Sequence, residues 1–153
     1  MNILFKTVFI QSIFLFLTNS VWAAAPAELK MKPENILNFV LEQKNKRLDP
    51  SKPVPQIFFS SKTQLKQFQD AIEPQWGQRP HFITNAFVVH LNQIYLLDDA
   101  AYYQKAGRCM DDSLAHEFVH YVQTKYQSYD LSDESLEWEA VDIQTRFREA
   151  FCK

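Results

Sequence analysis

Residues 116 to 120 read His-Glu-Phe-Val-His. On a helix, positions i and i+4 project from one face, so His116 and His120 can reach a single ion. Neutral imidazole suits Zn2+, and Glu117 between them is placed to hold a water and take its proton. With four His and nine Glu, about one composition-matched random chain in 170 would contain such a string, so the motif is informative but needs support. Helical phase supplies some. At 100° per residue, Leu114, Ala115, Phe118, Val119 and Val122 cluster on one side, with the two histidines roughly opposite. That argues against imidazoles packed in a core. It leaves a pair of solvent-exposed histidines without an ion as the bland alternative.

A catalytic zinc takes three protein ligands and keeps one position open. His81 and His90 both precede the motif, so no third histidine follows it. Two carboxylates are offered downstream, in Glu137-Trp138-Glu139-Ala140. They flank an apolar helical stripe on opposite sides, so amphipathicity alone does not choose between them. Ala140 would let this helix approach the histidine helix closely, which favours Glu137. Glu139 is the alternative, with Asp142 three residues on as a possible orienter. Tyr121, Tyr126, Tyr129, His90 and Arg146 are candidates for stabilising an oxyanion, and the sequence does not choose among them.

The elements that must position these residues follow from periodicity and turn chemistry. Pro33-Glu34-Asn35 opens a helix with Ile36, Phe39 and Val40 on one stripe. Leu48 to Pro55 is a proline-punctuated connection, and Gln56 to Phe59 a short strand. Ser61 is expected to cap a helix through Leu65, Phe68 and Ile72 that Pro74 ends. The runs 86–90 and 93–97 make a hairpin broken at Leu91-Asn92, and Asp98 to Gly107 a short helix or turn. Asp111 or Asp112 is expected to cap the motif helix from Ser113 to about Tyr126. A last helix starts within 130–133 and reaches about Ala150, with Leu136, Ala140, Ile143, Phe147 and Phe151 at helical spacing. The expected class is a small α+β domain, helices packed around a short antiparallel sheet or hairpin.

Composition bounds the function. The chain has 153 residues, 46% of them apolar, and sixteen basic against eighteen acidic residues give a formal charge of −2. No basic surplus points to nucleic acid. Gly77 and Gly107 are the only glycines, so glycine-fingerprint nucleotide binding drops out. Residues 1–23 read as a signal peptide. Lys6 precedes the apolar run Val8 to Leu17, and Val21-x-Ala23 fits the small-residue cleavage rule. The apolar run is short for a bilayer crossing of ~20 residues, so the expectation is export to the periplasm or medium without a stable membrane span. Residues 24–153 then form one domain. Outside the cytosol, the two cysteines Cys109 and Cys152 suggest one disulfide, two unpaired thiols being the alternative.

His-Glu-Phe-Val-His followed by a glutamate on the next helix resembles the gluzincin branch of zinc metallopeptidases. Glu-Trp-Glu-Ala looks like the E-x-x-A segment of its compact members, whose first Glu is the third ligand, here Glu137. Gln93 to Leu96 resembles the edge strand that lines substrate in that group. His116 to Gln123, with Ala140-Val141-Asp142-Ile143-Gln144, also looks like a group of small exported bacterial domains of unassigned function. The resemblance covers about Gln93 to Phe147, and Val141 departs from the Asp or Asn many relatives carry there. It implies a zincin-like fold, bound Zn2+ and hydrolysis of peptides or envelope proteins with Glu117 as general base. A zinc-binding or interaction domain that cleaves nothing is the competing reading. A metal-free disulfide-linked module is a third.

Overall fold

Helix α4 (Met110–Lys125) is buried on almost every side, packed among the other helices and the sheet of the described residues. The computed structural model describes residues 25–152. The proposed signal segment 1–23 lies outside the described residues. Those described form an α+β domain in the order α1 (Pro33–Gln43), β1 (Gln56–Phe59), α2 (Leu65–Trp76), β2 (Ala86–Val88), β3 (Gln93–Leu96), α3 (Ala100–Ala106), α4 and α5 (Ser135–Phe151). No helix among the described residues is long and apolar enough to cross a membrane.

The sheet departs from the expected antiparallel hairpin. β2 and β3 do pair antiparallel, with Phe87 opposite Ile94. β1 adds to the other side of β3 in parallel, Ile57 opposite Ile94. The sheet is therefore mixed, in the order β1-β3-β2. β3 is its central strand, so Gln93 to Leu96 offers no free edge, contrary to the substrate-lining role its resemblance implied. The reason is α2, which occupies the connection between β1 and β2 and lets β1 return alongside β3 in parallel.

Side chains alternate across this sheet, as the two-residue period requires. Ala86, Val88 and Tyr95 pack with Phe68, Ala71 and Ile72 of α2. Phe87, Ile94 and Leu96 face the main core with Ile36, Leu37, Val40 and Leu41 of α1, and Leu114, Phe118 and Val122 of α4. Covered on both faces, the strands read as nearly continuous apolar runs. Phe39 closes the core's rim edge-on against Phe147 and Phe151, with ring centroids 5.2 and 5.7 Å away.

Several boundaries differ from the sequence expectation because a tertiary bond outranks a local signal. Ser61 caps nothing; it sits in a 3-10 turn (Ser60–Lys62), and α2 starts at Leu65. The serine is recruited by Asp98, whose carboxylate accepts from Ser60 Oγ at 2.6 Å and from Ser61 N at 2.8 Å. Pro74 lies inside α2, which ends at Trp76, where Gly77 takes a left-handed conformation (φ 68°). Helix α4 begins at Met110 rather than Ser113, and neither Asp111 nor Asp112 is its N-cap. Asp112 reaches back to Cys109 N at 3.2 Å, and Asp111 accepts from Lys30 N and Met31 N at 3.0 and 2.7 Å, fastening the N-terminal segment. Helix α5 begins at Ser135, later than expected, with Asp133 accepting its N–H at 2.9 Å. Cys109 and Cys152 are bonded, joining the start of α4 to the end of α5.

Two stability predictions follow from these ties. Burial alone would raise the Asp98 carboxyl, but its bonds from Ser60 and Ser61 outweigh that and hold it below the ordinary 3.8. A lowered folded value means the stabilisation is complete above the unfolded pKa and is lost as pH falls through the folded one. Asp98→Asn should therefore cost roughly 1–3 kcal/mol at neutral pH in urea unfolding. Its deficit against the parent should shrink below pH 3.8; a deficit independent of pH would refute the account. For the disulfide, a sequence separation of 43 gives roughly 4 kcal/mol in the loop-entropy treatment. Reductant, or Cys109→Ser with Cys152→Ser, should lower the thermal midpoint by more than about 10 °C in calorimetry.

Candidate metal centre and cleft

His116 and His120 sit one turn apart on α4, and α5 runs antiparallel to it, bringing Glu137 across from them. His116 Nε2 lies 3.0 Å from His120 Nε2. Glu137 Oε1 lies 3.0 Å from His120 Nε2, and its Oε2 lies 3.4 Å from His116 Nε2. One atom from each residue thus converges on a common point, with all three within 4.8 Å of one another. Two imidazole nitrogens and a carboxylate oxygen form a donor set that fits Zn2+ and leaves a position open. Cys109, Asp112 and Cys152 also lie close together, but their two sulfurs are consumed by the disulfide.

The environment is drier than helical phase implied. His120 is 6% exposed and Glu117 5%, because the side of α4 opposite its apolar stripe faces other protein rather than water. Burial and the neighbouring His120 pull His116 down to about 4. Burial also opposes charge on His120, but the Glu137 hydrogen bond and the negative charges of Glu117 and Glu137 outweigh it, raising its pKa. The same bond to His120 lowers Glu137. Burial pushes Glu117 up to about 7, with the Phe87 N–H as a bond to its charged form. A carboxyl poised near neutrality can take up and release a proton at working pH.

Glu139, the alternative ligand, faces elsewhere. Its carboxylate is ion-paired with Lys44 and accepts from Gln123 Nε2 at 2.9 Å. Asp142 does not orient it, being paired with Arg146 at 2.7 Å. Of the oxyanion candidates, His90 and Tyr129 line the cleft beside the triad. Tyr121 points its hydroxyl at the Pro53 carbonyl, 3.2 Å away, and Tyr126 accepts from Asp49 N at 3.2 Å. His81 is exposed and outside that cleft.

The cleft encloses about 850 Å³ between β2, α4 and the segment 128–132, with His116, Glu117, His120 and Glu137 in its wall. Its rim includes β2, and there the backbone is already engaged. Gln75 Nε2 donates to Phe87 O and Gln75 Oε1 accepts from Val89 N, both at 3.0 Å. A side-chain amide thus stands where a neighbouring strand would place a peptide group. Lys125 Nζ donates to Val89 O at 3.1 Å.

Gln75, Gln123 and Gln144 escaped the sequence reading. Gln144 carried a signal: it is a polar residue four positions beyond Ala140, in register with the buried stripe, and is itself only 6% exposed. Gln123, three residues after His120, is wholly buried. Gln75 had no local signal, since its partners lie 12 and 14 residues away. No known protein family, curated protein or solved structure matches the chain.

Proposed function

We propose that this is an exported, zincin-like metallopeptidase of gluzincin type, holding one Zn2+ through His116, His120 and Glu137. The observation that carries the reading is the convergence of those three donors beside a buried glutamate in an open cleft. Zinc bound there would polarise the scissile carbonyl and acidify a water. Glu117 would serve as general base towards an attacking water and then as proton donor to the departing amine, a double duty suited to a carboxyl held near pKa 7. At 5% exposed, the Glu117 carboxyl meets little bulk water, which would strengthen its bond to a reacting group. The volume suits a few residues of extended peptide, and β2 is the strand whose edge meets the cleft. A peptide pairing there would use Phe87 O and Val89 N, so it must take them over from Gln75.

The metal-free and non-enzymatic readings are separated by the same variants. The purified protein should bind about one zinc per chain. His116→Ala and His120→Ala should lose it, and Glu137→Ala should weaken it severely, while Glu139→Ala should still bind one equivalent when zinc is saturating. Loss of stoichiometric zinc in Glu139→Ala alone would refute the ligand assignment. Glu117→Gln should keep zinc but slow cleavage of a mixed peptide library, read by mass spectrometry, by about 10²–10⁴-fold. A parent that binds zinc yet cleaves no peptide would establish the binding-domain reading instead.

Gln75→Ala tests the edge. Freeing two backbone groups removes an internal competitor whose two bonds are worth about 0.5–1.5 kcal/mol each, so KM should fall by roughly five- to 150-fold with kcat unchanged. A rise in KM would mean that Gln75 supports the strand for substrate rather than competing with it.

A further inference from the structure

Both imidazoles are approached from behind by a glutamine, and each glutamine is held by a carboxylate that is itself paired with a cation. Behind His120, Lys44 pairs with Glu139, Glu139 accepts from Gln123 Nε2 at 2.9 Å, and Gln123 Oε1 lies 2.9 Å from His120 Nδ1. Behind His116, Arg108 pairs with Asp112 at 2.8 Å and Asp112 accepts from Gln144 Nε2 at 2.9 Å. Gln144 lies beside the His116 ring, whose Nδ1 is buried and makes no hydrogen bond to any group of the protein.

The chemistry of these groups fixes their direction. Gln123 Nε2 has two acceptors, the Glu139 carboxylate and the Leu136 carbonyl at 3.0 Å, and neither can donate. Both of its N–H bonds are therefore spent, and the amide cannot turn over. Its oxygen, which can only accept, must take a proton from His120 Nδ1. Gln144 gives one N–H to acceptor-only Asp112, which leaves its oxygen as the acceptor available to the unpartnered His116 Nδ1. A neutral imidazole carrying its proton on Nδ1 has its lone pair on Nε2. Those Nε2 atoms are the two that converge with Glu137.

We propose that Gln123 and Gln144 are positioning residues that hold His120 and His116 as Nδ1–H tautomers, with Lys44–Glu139 and Arg108–Asp112 locking the glutamines in turn. The consequence for zinc affinity rests on the metallopeptidase reading; the tautomers do not. Val141, where the resembling family carries an acid or amide, is exposed, so this chain supplies the supporting groups from different positions.

The test uses nitrogen-15 NMR at about pH 9, above the ordinary histidine range, on a metal-free Glu137→Ala reference protein, which lacks the carboxylate 3.0 Å from His120 Nε2 that would draw the proton there. Both imidazoles should be Nδ1–H in this reference, with the glutamine substitutions made in it for NMR and in the parent for zinc binding. Gln123→Met should shift His120 towards the Nε2–H form, and Gln144→Met should shift His116, each leaving the other ring unchanged. Chelator competition should show zinc affinity falling about 10–100-fold in either variant. The exchange Gln123→Glu with Glu139→Gln, which preserves an acceptor at His120 and a donor behind it but removes the donor to the Leu136 carbonyl, should recover part of that loss. A packing role would leave the exchange no better than Gln123→Met. His120 found as Nε2–H in the reference protein, or tautomers unmoved there by Gln123→Met, overturns the proposal. If the Met variants fold poorly, the reference spectrum and the exchange variant still decide it. Absence of zinc binding in the parent would sink the metallopeptidase reading alone, since the tautomers are read without metal.

Discussion

The polar side of α4 is buried, and the rest of the domain is arranged around that fact. Asp111, Asp112, Glu117, His120 and Gln123 are all close to inaccessible on a helix whose other side fills the core. A buried polar group without a partner costs a few kcal/mol, so each of these needs a dedicated one from outside the helix. Asp111 draws in the N-terminal segment, Asp112 binds Arg108 and Gln144, and Gln123 binds the start of α5. Glu117 is least well provided for, with one backbone N–H facing it. Its raised pKa is the signature of that poverty, and a group left undersupplied by the fold is available to a reactant.

The sheet answers the same demand from the opposite side. β3 is saturated by neighbours on both flanks, so only β2 can bring an unpaired backbone edge to the cleft. An exposed edge invites association with other chains. Here the groups at Phe87 and Val89 are covered by side chains, Gln75 and Lys125, rather than by another strand.

How much of this could be read beforehand divides along sequence separation. The histidine spacing, the antiparallel β2–β3 pair, the helices at both ends and the cysteine pair were legible, because each rests on local periodicity or on counting. The parallel β1–β3 pairing was not, since Gln56 and Gln93 are brought together by a crossover that leaves no local mark. Ser61 and Pro74 carried strong helix-boundary signals that tertiary bonds and helix packing overrode. The polar side of α4 looked like a solvated face because a sequence does not tell water from a neighbouring helix rich in polar groups.

The choice between Glu137 and Glu139 shows why such cases cannot be settled locally. The two are separated by about 200° of helical rotation, so α5 can turn one of them, and not both, towards the histidines. Rotation of α5 is set by anchors at both ends. The disulfide ties its last turn to the start of α4. At the other end, Lys44 holds Glu139 from α1, 95 positions earlier in the chain, and Gln123 grips the Leu136 carbonyl. With Glu139 drawn to Lys44, Glu137 is turned towards the imidazoles. A lysine far away in sequence therefore helps decide which acid faces the site, and the residue that looked like a rival ligand is the one that aims the other.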